Sequence, residues 1–111
     1  MDTITIEDFA KATSGLKVGT IKEVRPHPNA EKLICLTVDV GDGDVRPVVA
    51  GIKKHYTAEE LVGKQIIVCT NLPPANLRGE ESKGMLLAAS DADGLSLVTL
   101  DKPRAPGSPI K

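Results

Sequence analysis

Two Pro-marked stretches of this chain carry groups able to hold an anion in a loop. The first is His27-Pro28-Asn29-Ala30-Glu31-Lys32. The second runs from Asn71-Leu72-Pro73-Pro74 through Arg78-Gly79-Glu80-Glu81-Ser82-Lys83-Gly84 to Met85 and then into an apolar segment. Polar loops held at the end of a sheet are where binding groups are usually placed. Arg78 can fork onto a phosphate, and Lys32 and Lys83 can act as point charges. Ser82 and Asn71 can add a hydroxyl and an amide.

Other chemistries find no support. There is no P-loop and no dinucleotide fingerprint. Cys35, Cys69, His27 and His55 lack metal-ligand spacing, and no cofactor is expected. Both cysteines lie in apolar runs and read as buried free thiols of a cytosolic protein rather than a disulfide. Asp91 and Asp93 read as turn residues, and Glu59 and Glu60 as helix-capping residues, so no catalytic constellation remains.

With 14 basic and 15 acidic residues the net charge is −1. That argues against a protein that coats nucleic acid by bulk charge and for one that places a few cations. Phe9 and Tyr56 are the only aromatics among 111 residues. A single-strand binder stacks bases on aromatic rings; structured RNA, met through its backbone and 2′-hydroxyls, suits this chain better. No apolar run is long enough to cross a membrane. The start, Met1-Asp2-Thr3, lacks the features of a signal peptide. The expectation is a cytoplasmic location.

The elements that must position the loops are legible. Thr5 and Asp8 form a weak capping box, with Ile4 and Phe9 at the staple positions, for a helix over by Ser14-Gly15. Val18 to Arg25 reads as a bent or bulged strand, because its apolar spacing is uneven and Gly19 lies inside it. Lys32 to Gly41 alternates cleanly, Asp42-Gly43 marks a hairpin, and Val45 to Gly51 returns with Pro47 at an edge or bulge. Thr57-Ala58-Glu59-Glu60 is a full capping box with Tyr56 and Leu61 at its staple positions. Gln65 to Thr70 is a fourth strand. Met85 to Ala89 is a fifth, its composition suggesting burial on both faces, and Leu95 to Leu100 is a sixth. The Pro-rich tail after Asp101 is predicted to be neither helix nor central strand, and either disordered or a dimer clasp.

This order predicts an all-β, five-stranded OB-fold, a Greek-key barrel with a short helix between strands 3 and 4, a short N-terminal helix and a C-terminal extension. The helix favours it over an SH3-like barrel. The whole chain, 1–111, reads as one domain with a core of about 16–90 and terminal extensions at 1–15 and 91–111. In an OB-fold the loop between strands 1 and 2 and that between strands 4 and 5 frame the ligand face. Those are the two stretches already picked out by composition.

His27-Pro28-Asn29-Ala30-Glu31-Lys32-Leu33, together with Asn71-Leu72, Arg78-Gly79 and Ser82-Lys83-Gly84-Met85, resembles the signature of the tRNA-binding OB-domain family. That family occurs as small stand-alone tRNA-binding proteins and as the C-terminal or β-subunit domain of methionyl-tRNA synthetases. The resemblance covers nearly the whole chain. It implies a non-catalytic module that grips folded tRNA by shape, a homodimer built through the terminal extensions, and action in trans with a methionyl-tRNA synthetase. It assigns Lys32, Asn71, Arg78, Ser82 and Met85 to the RNA face and His27 and Pro28 to shaping the first loop; Lys83 joins them on charge. The family's second loop often carries lysines where this chain has Pro73 and Asn76. The alternative is a dimeric OB-fold secretion chaperone binding unfolded polypeptides; the paired loop motifs favour RNA.

Overall fold

Alternating β-branched and leucine side chains build one curled sheet in the computed structural model, which describes residues 1–111. After helix α1 (Ile6–Thr13) come β1 (Leu16–Pro26), β2 (Ile34–Asp39), β3 (Val45–Ala50), helix α2 (Ala58–Leu61), β4 (Gln65–Cys69), β5 (Ala75–Leu77), β6 (Glu80–Ser82), β7 (Met85–Leu86), β8 (Ala88–Asp91) and β9 (Gly94–Leu97). The main sheet is antiparallel, in the order β3-β2-β1-β4-β7. This is the expected OB-like architecture, with α2 between the third and fourth barrel strands and the first and second loops at β1–β2 and β4–β7. No helix is long and apolar enough to cross a membrane.

The bent first strand is observed. Its register to β2 shifts between Ile21 and Glu23, so Ile21 and Val24, three apart, both pack in the core. The uneven spacing is thus the imprint of a bulge. Ile21, Leu36, Val38, Val48, Leu61, Ile66 and Val68 fill that core. Gly19 faces it without a side chain, because a Cβ there would lie 2.6 Å from Val38 Cγ1 and 2.9 Å from Val68 Cγ2.

Both capping boxes form as expected, and Tyr56 packs against the core while its hydroxyl accepts the Leu97 amide at 2.9 Å. The N-terminal staple does not bury its residues: Ile4 and Phe9 are exposed, as is Ile6 beside them, and α1 has no buried residue. Both cysteines are free; Cys35 is buried and Cys69 half-buried.

One expectation needs correction. The fifth strand is not one strand buried on both faces. Met85 and Leu86 pair with β4 and Leu87 N still donates to Ile67 O at 3.2 Å, after which Ala88–Asp91 leaves to form a separate hairpin with β9. Leu86 is buried, but Met85, Leu87, Ala88 and Ala89 are exposed. Composition reports apolarity, not whether a second layer exists to cover it. The sixth strand accordingly shortens to Gly94–Leu97.

The tail is ordered, and it clasps its own chain. β2 reaches only to Thr20 along β1, leaving Leu16 to Val18 with free backbone groups on that side. The tail takes them: Val18 N donates to Ser108 O at 3.0 Å, Gly107 N to Val18 O at 2.8 Å and Ile110 N to Leu16 O at 3.1 Å. The Gln65 amide holds both backbone groups of Arg104, at 2.6 and 3.0 Å. An open edge presents unpaired donors and acceptors, and covering it satisfies them.

Because the space at Gly19 is already filled, Gly19→Ala should destabilise the fold by about 1–3 kcal/mol, the usual range for overpacking. Urea unfolding with an unchanged midpoint would show that β1 can shift to admit the methyl group.

Candidate nucleic-acid interface

The two loops are tied together by a buried imidazole. His27 is 5% exposed. Its Nδ1 accepts the Asn29 amide at 2.9 Å, so its Nε2–H is the donor to the Leu77 carbonyl at 2.7 Å. Asn29 adds a second tie, its side-chain amide donating to Arg78 O at 3.3 Å. The expected shaping role of His27 therefore extends across both loops. Lys32 and Arg78 line one concavity of about 530 Å3, together with Asn29, Ala30, Glu31 and Leu33. Neither cation is ion-paired. Pro28 is exposed beside them.

Arg78 stands at the tip of the β5–β6 hairpin. Leu77 pairs with Glu80 across the two-residue turn Arg78-Gly79, whose φ angles are 57° and 97°. Turns of this hand favour Asn-Gly, since both positions need left-handed backbone. An arginine there carries backbone strain, which tends to persist where the side chain has a function. Asn76 braces the turn, its Oδ1 accepting the Gly79 amide at 2.9 Å. Where the resembled family often has a lysine, this chain thus has a turn-bracing amide.

The base of the second loop gathers the other expected residues. Met85 is paired with Cys69 and exposed. Asn71 is exposed, its side chain lies over Gly15, and its Oδ1 accepts the Cys69 thiol at 3.2 Å. Lys83 is half-exposed, with Glu81 3.8 Å from its Nζ. Ser82 departs from the expected direct contact. It is 2% exposed, its hydroxyl accepts the Val49 amide at 3.0 Å and donates to Gly84 O at 2.9 Å. With Lys83 N donating to Pro47 O at 2.8 Å, it seals the outer edge of β3 to the second loop. Ser82 shapes the site from inside, where its hydroxyl is already used.

Two arginines were missed by composition. Arg46 donates from Nη1 to Thr70 O at 3.2 Å and Lys83 O at 3.0 Å, bracketing the second loop at both ends. Its other nitrogens fork onto Asp44, a hydrogen bond that holds the Asp44 carboxyl below its usual range with added help from Lys17 and Lys83. Arg25, near the end of β1, bonds Glu80 at 2.8 Å. That bond is the main reason the Glu80 carboxyl is lowered. Cys35 lies on the same outer face, where burial pushes its thiol up. The spacing of β1 and the second loop could have suggested the Arg25–Glu80 pair only once the hairpin was known to lean over β1–β3.

The site is thus built on an OB-like barrel with joined loops, two unpaired cations between them and a cation, an amide and a thioether at the second loop's base. Residues 16–109 match the family described as "Putative tRNA binding domain". The chain is 48% identical over 111 residues to a methionine–tRNA ligase of Pyrococcus horikoshii, covering 100% of this chain and 15% of that protein. Among solved structures it resembles a MetRS-related protein from Pyrococcus horikoshii (TM-score 0.89, 34% identity, 100% of both chains). It also resembles the CsaA chaperone protein of Picrophilus torridus (TM-score 0.88, 34% identity, 98% of this chain and all of the other). The chain belongs to the tRNA-binding domain family, whose domain is a binding module, non-catalytic in itself. It spans about 15% of the length of the curated relatives it matches, and the ligase activity in their names is that of the longer proteins.

Removing the Ser82 hydroxyl would orphan the buried Val49 amide. Ser82→Ala is therefore expected to lower stability by about 1–3 kcal/mol, read as a lower urea midpoint. An unchanged midpoint would return Ser82 to the list of direct contacts.

Proposed function

We propose that this chain binds folded tRNA through the face framed by the β1–β2 and β4–β7 loops, by shape and backbone contacts rather than base reading. The observation that carries this is the pairing of Lys32 and Arg78, unneutralised, on one concavity between two hydrogen-bonded loops. Arg78 is the phosphate fork and Lys32 and Lys83 are point charges. Asn71 and Met85 meet sugar or base edges at the loop base, and Pro28, His27 and Ser82 keep the loops in place. The shortage of aromatics leaves little to stack a single strand on. The family and the synthetase relatives support tRNA as the ligand; action in trans with a methionyl-tRNA synthetase, in the cytoplasm, is part of the same proposal.

The chain acts as a homodimer in this reading. Ile4, Ile6 and Phe9 present an apolar face that nothing in the same chain covers, and a second copy would bury it. The tail also hydrogen-bonds to β1 of its own chain. The likeness to CsaA keeps a second reading, polypeptide binding, open to test.

Arg78→Ala should weaken tRNA binding by about 1.5–3 kcal/mol, the scale of a charged hydrogen bond, in a filter-binding assay. Arg78→Asn separates the two roles of the position. It should lose affinity similarly while gaining about 1 kcal/mol of stability from relief of the left-handed backbone. Unchanged affinity in both would remove Arg78 from the site. In competition against labelled tRNA, unlabelled tRNA should displace and unfolded peptide should not. Log affinity should fall with log salt by about 0.7–0.9 per phosphate contacted. Displacement by peptide and a flat salt response would favour the chaperone reading.

A further inference from the structure

We propose that Arg25 is a further phosphate contact of this face and that Glu80 is its resident competitor, giving up the guanidinium when RNA binds. This rests on the RNA-binding reading above and adds a residue that reading does not use.

Arg25 lies two residues before His27, on the strand end that launches the first loop. Its Cα partner is Cys35, whose partner in turn is Val49, so all three side chains point to the outer face of β1–β2–β3. Glu80 begins β6 directly after the Arg78-Gly79 turn. The 2.8 Å bond between Arg25 Nη1 and Glu80 therefore bridges the sheet and the hairpin. Beneath it is a cleft of about 190 Å3, walled by Arg25, Glu80 and Glu81 over Cys35, Thr37 and Val49. The cleft offers Arg25 no other anion than those carboxylates.

The pair is easily exchanged. The Arg25 side chain keeps 57% of its exposure while paired, so a phosphate can approach the free edge of the guanidinium. Exposed ion pairs are weak and screened by salt. A phosphate offers several oxygens to the planar fork of an arginine and holds it bidentately.

The arrangement also sorts the cations of this face into two kinds. Arg78 and Lys32 are unpaired, whereas Arg25 and Lys83 have Glu80 and Glu81 as counter-ions. On this face the free protein thus presents only a small positive charge. Arg25 is recruited only where a phosphate is held close enough to outcompete a tethered carboxylate. A strut that merely fixed the hairpin would have the same geometry but the opposite response to losing Glu80.

The test measures tRNA affinity over a potassium chloride series for the full chain, with Glu80→Gln and the double variant Arg25→Gln/Glu80→Gln. Circular dichroism confirms the fold of each. Glu80→Gln should bind about threefold tighter than the unaltered protein, because a weak exposed competitor has gone. Adding Arg25→Gln to it should weaken binding about tenfold and make the log–log salt slope shallower by about 0.7–0.9, the signature of one lost phosphate. Two results would overturn the proposal while leaving the RNA reading intact: weaker binding by Glu80→Gln, as for a strut, or a double variant matching Glu80→Gln in affinity and slope. Absence of tRNA binding by the unaltered protein would instead remove the RNA reading, and this proposal with it.

Discussion

The geometry of the proposed face depends on the hydrogen bond from His27 to the Leu77 carbonyl. It joins residues 50 apart in the chain. Both faces of the imidazole edge are used, one nitrogen accepting from the first loop and the other donating to the second. Because the ring is buried, losing it would leave a carbonyl and an amide without partners. The second loop is held at two further places, by the Ser82 hydroxyl against β3 and by Arg46 across the loop's base. A loop pinned at its tip, side and base loses little freedom on binding, which is the advantage of a preorganised surface.

On this frame, charge is distributed by position rather than by amount. A chain of net charge −1 cannot attract RNA through its overall field, so a few cations must meet phosphates at close range. The strained backbone at Arg78 suits such a design. An asparagine or glycine would relax the turn, yet the position carries the residue able to grip a phosphate with two parallel hydrogen bonds. The acidic residues beside it, Glu80 and Glu81, are spent on neighbouring cations and not on Arg78 itself.

Much of the fold was legible because the signals were local. The capping boxes at Thr5 and Thr57 need only four consecutive residues, and the alternation through Ile34, Leu36 and Val38 reports which face of a strand is wet. The interval from Ile21 to Val24 disclosed a bulge. Signals that depend on a neighbour were misread. Met85 to Ala89 looks doubly buried by composition, but there is no layer outside it. Phe9 has a staple partner in sequence and remains exposed in the fold. The pairing of the tail with β1 depends likewise on an open edge that exists only once the sheet has formed.

The sequence by itself determined the order of strands and helix, the two loops and the cations they carry, since propensity, capping and turn chemistry act over a few residues. Only the tertiary structure decided which of those polar groups face outward. Ser82 and His27 are as polar as Asn71 and Lys32, yet the first two are buried and saturated while the others meet solvent. That division follows from which backbone groups are left unpaired when distant segments meet: the Val49 amide of β3 for Ser82, the Leu77 carbonyl of the second loop for His27.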